Sequence, residues 1–455
     1  MGHHEPRDDD RRPQGGRPPA RREFRDLGQA AIKPLNPADV VLAKSQGPWP
    51  VFLPCGQGIE ELLLAEVQAL MPETHPRLEK GGVALHTDAR GVMALNLESR
   101  LATRVLLELA HAPYGNENDL YTLAKAVDWP AWISPLENFC INTSAHRSPL
   151  QSLNFATLRV KDGLCDRMRE DTDDRPSVDT RFPHLQLALH LGPTQAHLYV
   201  DASGESLFKR GWREDKGDAP LKETLAAAML AAAGWKGTPD EGGALMDPCC
   251  GSGTIPIEAA QIACGIAPGL FRRFAFEMLP LFKRPEMRSL WAQLKLEAKQ
   301  RIHAPAVPII ASDVAFRMMD FARRNAERAG VAHAIEFHGG DALQRPAPPL
   351  PEGLSGTLML NPPYGERIAT RGTAAEDDFF PKLASHWKKQ YTGWSAWLLC
   401  PEMKLPGLMR LKESRRIPMW NGPIECRLFR FDLQAGSLRK DRQGADPEGP
   451  AEEAL

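Results

Sequence analysis

Residues 244–264 read Ala-Leu-Met-Asp-Pro-Cys-Cys-Gly-Ser-Gly-Thr-Ile-Pro-Ile-Glu-Ala-Ala-Gln-Ile-Ala-Cys. An apolar run, Ala244 to Met246, ends at an acid, Asp247. Gly251 and Gly253 then turn the chain, and Thr254 to Cys264 continues as a helix. In such a strand–turn–helix unit the glycines let backbone approach a ligand, and the helix N-terminus presents N–H groups with no intrahelical partner. The spacing is not G-x-G-x-x-G, and no Lys follows the second Gly, so this is not a P-loop. Taken alone, Pro248 to Thr254 fits a structural turn as well as a ligand loop. Its place after a strand, behind an acid, favours the ligand, with Asp247, Pro248, Gly251, Ser252, Gly253 and Thr254 as the candidate contacts.

The same rhythm continues downstream. Val307 to Ile310 predicts a strand ending at Asp313, followed by a helix to Ala329. Ile335 to Phe337 predicts another strand, ending near Asp341, and Leu358 to Leu360 runs straight into Asn361. A helix over 377–390, a strand over 396–399 and a last one over 426–431 complete the pattern. Repeated βα units predict an α/β fold, a mostly parallel, doubly wound sheet over 204–435. Ligands of such sheets bind at the carboxyl ends of the strands. An acid at 313 can accept both ribose hydroxyl hydrogens of a nucleoside, although alone it would serve equally as a helix cap. It follows Asp247 by 313 − 247 = 66 residues, against about 20 in a plain dinucleotide fold. An insertion from Pro268 to about Pro305 is therefore expected. Asp341, after Gly340, could accept an adenine amino group.

Asn361-Pro362-Pro363-Tyr364 decides the chemistry. Two prolines after a strand leave carbonyls that no ladder N–H can claim. The Asn361 side-chain oxygen and the Pro362 carbonyl can together accept both hydrogens of an exocyclic NH₂, and Tyr364 can stack on an unstacked base. Engaged in this way, the amine is drawn toward a pyramidal nitrogen whose lone pair is free to attack. Positioning and electrostatics then supply most of the rate. Cys249 and Cys250 are weighed as nucleophiles and set aside, because they sit in the glycine loop and the NPPY site holds no Cys. The 13 His show no HExxH or paired ligand spacing, so no metal is expected.

Residues 247–254 resemble the first motif of class I S-adenosylmethionine (SAM) methyltransferases. NPPY resembles the motif of enzymes that methylate planar NH₂ nitrogens in adenine, guanine or glutamine. The likeness extends to Arg210-Gly211-Trp212-Arg213, to Ala219 through Ala227, to Cys264 through Gly269, and to Asn361 through Arg367 (NPPYGER). In these segments the chain resembles the UPF0020 family of RNA methylases. The resemblance implies a Rossmann-like methyltransferase domain preceded by a ferredoxin-like α+β piece and a THUMP domain, with SAM as methyl donor. It also implies methylation of a guanine N2 in 23S rRNA, on large-subunit RNA or an assembling ribosomal particle. Some members carry a second domain that makes 7-methylguanine; the chain stops at Leu455, so only the guanine-N2 activity is expected. The alternatives are N6-adenine methylation of RNA or DNA, glutamine methylation of a protein, and a non-catalytic RNA-binding assembly factor.

Upstream, Val51 to Leu53 predicts a strand and Glu60 to Leu70 a helix. Val83 and Leu85 mark a strand, and Val92, Leu95, Ala102, Leu106 and Leu109 a second helix bearing Arg100 and Arg104 on its polar side. A second module has a strand at 139–143, a long helix from Ser152 with Arg159, Lys161, Arg167 and Arg169, and a hairpin built from Leu185–Leu191 and Ala196–Val200 around Gly192-Pro193-Thr194. The expected divisions are a disordered basic arm at 1–45, the ferredoxin-like region at 46–110, the THUMP domain at 111–203, the methyltransferase domain at 204–435 and a disordered tail at 436–455.

Composition bounds these readings. The 455 residues are 42% hydrophobic and 25% charged, with net charge −2. That suits folded domains and excludes a global nucleic-acid footprint, so any RNA contact must be local. Eight cysteines without a CxxC pair fit a reducing compartment, hence a cytoplasmic location. No apolar run is long enough to span a membrane, and oligomeric state is not legible.

Overall fold

The computed structural model describes residues 34–217, 220–362 and 376–434, with 376–378 described by backbone only. The first 33 residues of the expected arm, the tail 436–455, and Pro363 and Tyr364 lie outside the described residues.

The N-terminal half is one sheet. Its strands are β1 (Val41–Leu42), β2 (Trp49–Pro54), β3 (Arg77–Glu79), β4 (Gly82–Thr87), β5 (Leu106–Pro113), β6 (Asn138–Ala145), β7 (Ser177–Val178), β8 (Leu185–Leu191) and β9 (Gln195–Asp201). They run in the order β3-β4-β2-β5-β9-β8-β6-β7, with β1 also on β5. The two modules expected from sequence are therefore joined by β5, which pairs β2 on one side and β9 on the other. Helices α1 (Glu60–Leu70), α2 (Ala89–Glu98), α3 (Glu117–Lys125) and α4 (Leu153–Thr172) accompany this sheet. Ser152 caps α4 by accepting from the Phe155 N–H. The 185–200 hairpin forms as read, closed by the Gly192 N–H on the Gln195 carbonyl at 2.9 Å.

Two expectations fail here. The helix read across Val92 to Leu109 stops at Glu98, and Leu106–Pro113 is a strand. The cause is tertiary: the half-buried Glu66 carboxylate accepts from the Ser99 hydroxyl and from the Arg100 and Leu101 N–H groups, holding the chain extended. An extra residue in β5, described below, also mimics helical spacing of its leucines. The segment expected as an arm to residue 45 is structured over its last part, from Leu35 on. The Leu35 N–H donates to Asp119, and β1 pairs β5 at Val41↔His111 and Leu42↔Ala110.

The C-terminal half is the α/β sheet. Its strands are β10 (Ala244–Asp247), β11 (Ile309–Asp313), β12 (Glu336–Gly339), β13 (Gly356–Leu360), β14 (Ser395–Cys400), β15 (Arg415–Asn421) and β16 (Ile424–Asp432), in the order β12-β11-β10-β13-β14-β16-β15. The first five are parallel, and the β15–β16 hairpin is antiparallel. β15 was not legible, since Arg415 and Arg416 break its apolar pattern. The helices are α5 (Glu223–Ala233), α6 (Thr254–Ala263), α7 (Pro285–Gln300), α8 (Phe316–Arg328), α9 (Glu376–Gln390) and α10 (Leu405–Met409). β10, β11 and β13 are buried along their whole length, which is why they read as unbroken apolar runs.

The insertion after α6 docks on the N-terminal half. Gly269 N–H donates to Leu97 carbonyl, Phe276 N–H to Ala202 carbonyl, and Lys283 pairs with Glu137. Trp49, Phe276, Phe282 and Trp291 pack together at this junction. Arg210 and Glu258 form a fully buried ion pair beside it, and the Arg210 guanidinium also donates to the Arg100 carbonyl. Arg100 was expected on an exposed helix face. It is instead drawn inward, where its guanidinium donates to the Ile266 carbonyl and lies 3.7 Å from Glu258.

Candidate active site

Four parallel strands deliver Asp247, Asp313, Asp341 and Asn361 to one edge of the sheet, at or just past their carboxyl ends. The chain leaves β10 toward β11 and β12, then crosses over to β13 on the other side. A crevice therefore opens above the β10–β13 pair.

The glycine loop is fixed from below. Cys250 N–H donates to the Ser312 carbonyl and Gly251 N–H to Asp313 Oδ2, both at 2.9 Å. Asp313 Oδ1 accepts from the Ala315 N–H. The two glycines differ in purpose. Both have positive φ, but a Cβ at Gly253 would stand 3.0 Å from the Ala322 Cβ of α8, while one at Gly251 would meet nothing within 4 Å. Gly253 lets two helices approach; Gly251 leaves space above the loop. Asp247 is 1% exposed and accepts from the Cys249 N–H at 3.0 Å. Burial pushes its carboxyl well above the usual carboxylate range, and the nearby Asp313 charge pushes the same way.

Two side chains brace the loop, and both escaped the reading of the motif. The Arg213 guanidinium donates to Glu223 Oε1 at 2.8 Å, Thr254 Oγ1 at 2.8 Å, Ser252 Oγ at 3.2 Å and the Leu221 carbonyl at 3.1 Å. Asn325, fully buried in α8, donates to the Ser252 and Asp215 carbonyls and accepts from Arg328. Arg213 belongs to the RGWR segment noted in the sequence, but nothing there ties it to residues some 40 positions away. The hydroxyl oxygens of Ser252 and Thr254 thus both accept from Arg213, which holds them in place.

The acceptor side differs. Asn361 is half-buried, Pro362 is buried, and Asn361 Oδ1 is shielded from solvent with no hydrogen-bond donor among the described residues. Asp341 is half-buried and its Oδ1 accepts from the Leu343 N–H. Cys250 is buried, and burial with the Asp247 and Asp313 charges pushes its thiol well up, against any nucleophilic role.

The cations of α4 do not form a free basic stripe. Arg159 and Lys161 both pair with Asp162, Arg167 with Asp171, and Arg169 with Asp166. No helix among the described residues is long and apolar enough to cross a membrane.

Comparison with known proteins agrees with this architecture. Residues 50–106 match the RlmL ferredoxin-like domain, 114–201 the THUMP domain, and 210–430 the UPF0020 model, an RMKL-like methyltransferase domain. A Shewanella amazonensis protein named ribosomal RNA large subunit methyltransferase K/L is 35% identical over 395 residues, 86% of this chain and 54% of that protein. The chain thus spans about half the length of the curated relatives it matches. A Clostridium difficile 630 structure described as a possible methylase superposes with a TM-score of 0.75 at 28% identity, covering 86% of this chain and 99% of that one. SMU.472, a methyltransferase structure in complex with SAH, gives 0.74 at 25% identity over the same shares.

Proposed function

We propose that this chain, whose residues 114–201 match the THUMP domain and 210–430 the UPF0020 methyltransferase model, belongs to that family and transfers a methyl group from SAM to the exocyclic N2 of a guanine in 23S rRNA. The observation that carries the reading is the pairing of a braced glycine loop with Asn361 Oδ1, a buried acceptor that no donor among the described residues meets, at the end of the adjacent strand.

The residues present fit a bound SAM. Space lies open over Gly251, the first turn of α6 offers backbone N–H groups, and Asp313 and Asp341 stand at successive strand ends. In this reading Asp313 accepts from ribose hydroxyls and Asp341 from the adenine amine, while Asp247, Pro248, Ser252, Gly253 and Thr254 form the wall beneath. SAM supplies the methyl group. Asn361 Oδ1 and the Pro362 carbonyl accept the two hydrogens of the target NH₂, and Pro363 and Tyr364 complete the pocket, Tyr364 by stacking on the base. No strong base is needed before attack, because the methylated nitrogen is acidic enough to lose its proton afterwards. The THUMP domain grips structured RNA, free or in an assembling particle, in the cytoplasm.

The test is tritiated-SAM transfer to rRNA from cells lacking the gene, followed by nucleoside analysis. N2-methylguanosine in the large-subunit RNA is expected. Label on adenine would keep the chemistry and overturn the base; binding of SAM without label on any RNA would overturn the RNA substrate.

A further inference from the structure

The N-terminal sheet carries a cluster that the methyltransferase reading does not use. β5 pairs regularly with β9 up to Glu108↔Tyr199 and resumes at Ala110↔Leu198, so Leu109 is an extra residue, a β-bulge. In an unbroken strand, positions 108 and 111 differ by an odd number and point to opposite faces. The bulge restores them to the same face. His111 then lies opposite His197, and Glu108 opposite Tyr199, two residues from His197 on that face. The side chains meet: Glu108 Oε1 lies 2.6 Å from His197 Nδ1 and 3.1 Å from His111 Nδ1. The three offered atoms all fall within 4.8 Å of one another. His190, the partner of His197 on β8, is engaged by Ser144 and stands outside the set.

We propose that Glu108, His111 and His197 form a binding site for one divalent transition-metal ion, with Zn²⁺ the ion best suited to two imidazoles and a carboxylate. Both imidazoles would carry their proton on Nε2 and present Nδ1 to the ion. Bonds of about 2.0–2.1 Å set tetrahedral ligand atoms roughly 3.3 Å apart, so Glu108 Oε1 would draw back from His197 Nδ1 by about 0.7 Å and from His111 Nδ1 by about 0.2 Å, shifts within reach of side-chain rotation. Glu108 is 12% exposed and the two histidines about a third (35% and 31%), so the ion has an entry path and a fourth position for water. The location gives the site a purpose. The bulge lies on the one strand shared by the ferredoxin-like and THUMP parts, and the Leu109 carbonyl also holds the Ala43 N–H of the segment leading from β1. An ion there would pin all three pieces.

The test uses the full chain and its Glu108→Gln, His111→Gln and His197→Gln variants. Zn²⁺ uptake is followed by equilibrium dialysis, and thermal unfolding with and without Zn²⁺. The native chain should take up one Zn²⁺ at micromolar concentration and gain several degrees in Tm. Each variant should bind at least about tenfold more weakly and lose the Tm gain, while keeping its metal-free Tm. Should one variant unfold, the other two carry the comparison. No uptake by the native chain would overturn the proposal. So would uptake that survives all three substitutions, since it would belong to other groups such as His3 and His4, which every variant keeps.

Discussion

The two sides of the crevice are built on opposite principles. On the β10 side the loop's polar side chains are already engaged: Ser252 and Thr254 by Arg213, Asp313 by Gly251 and Ala315, and Asp247 by Cys249. On the β13 side Asn361 Oδ1 is buried and accepts nothing from the described residues. A buried acceptor without a donor costs about 1–3 kcal/mol. Asn361 Oδ1 is one of several buried polar atoms left so among the described residues, and it is the one aimed at the reacting amine in the proposed mechanism. The loop's geometry is set before any ligand arrives, whereas the acceptor side is completed only by substrate.

The largest effect should come from cutting the support beneath the braced side. Glu258→Ala leaves Arg210 buried without its counter-ion and should cost about 3–5 kcal/mol of stability, read by urea denaturation. An unchanged midpoint would mean that the brace does not depend on this pair. Asn361→Ala should lower turnover by about 10²–10³, the usual loss for one transition-state acceptor or donor, with SAM affinity nearly unchanged and Tm not lowered, since it removes an acceptor that no described donor meets. A matching fall in SAM affinity by calorimetry would erase the contrast between the two sides. Arg213→Met should do the reverse, weakening SAM binding by about tenfold through loss of charge-assisted hydrogen bonds worth about 1.5–3 kcal/mol each, with a smaller change in single-turnover rate. Asp247→Asn gives the smallest and most pH-dependent effect. The folded-state pKa of Asp247 lies above its unfolded value, so its stabilising share is present at low pH and is lost as pH rises through the folded pKa. The Asn variant should therefore gain Tm relative to the native chain as pH is raised from 5 to 8. A constant difference would place the charge elsewhere.

What the sequence made legible follows from where the chain is under local constraint. Gly251, Gly253, Asp313 and Asn361 sit at strand ends, and strand ends announce themselves by an apolar run that stops. The insertion was legible from spacing, because 66 residues separate two acids that the fold places on neighbouring strands. Arg213 and Asn325 were not legible as braces, since their roles exist only once α8 lies against the loop. Leu106–Pro113 was misread because a bulged strand spaces its leucines like a helix. The same bulge hid the Glu108–His111–His197 cluster, whose histidines lie on different strands. The basic residues of α4 are the converse case: conspicuous in sequence, and each answered by an acid on its own helix.

The insertion between α6 and β11 has a consequence for target choice. It clasps the N-terminal half through Leu97, Ala202 and Glu137, next to the buried Arg210–Glu258 pair, and Arg210 stands three residues before the loop's own brace. Under the proposed function the chain is a caliper with a fixed opening. One jaw grips a folded element of RNA and the other accepts a base at a set distance from it. The modified guanine is then selected by its reach from that element, and lengthening the RNA between the two by a single base pair should move the mark to a different nucleotide or abolish it.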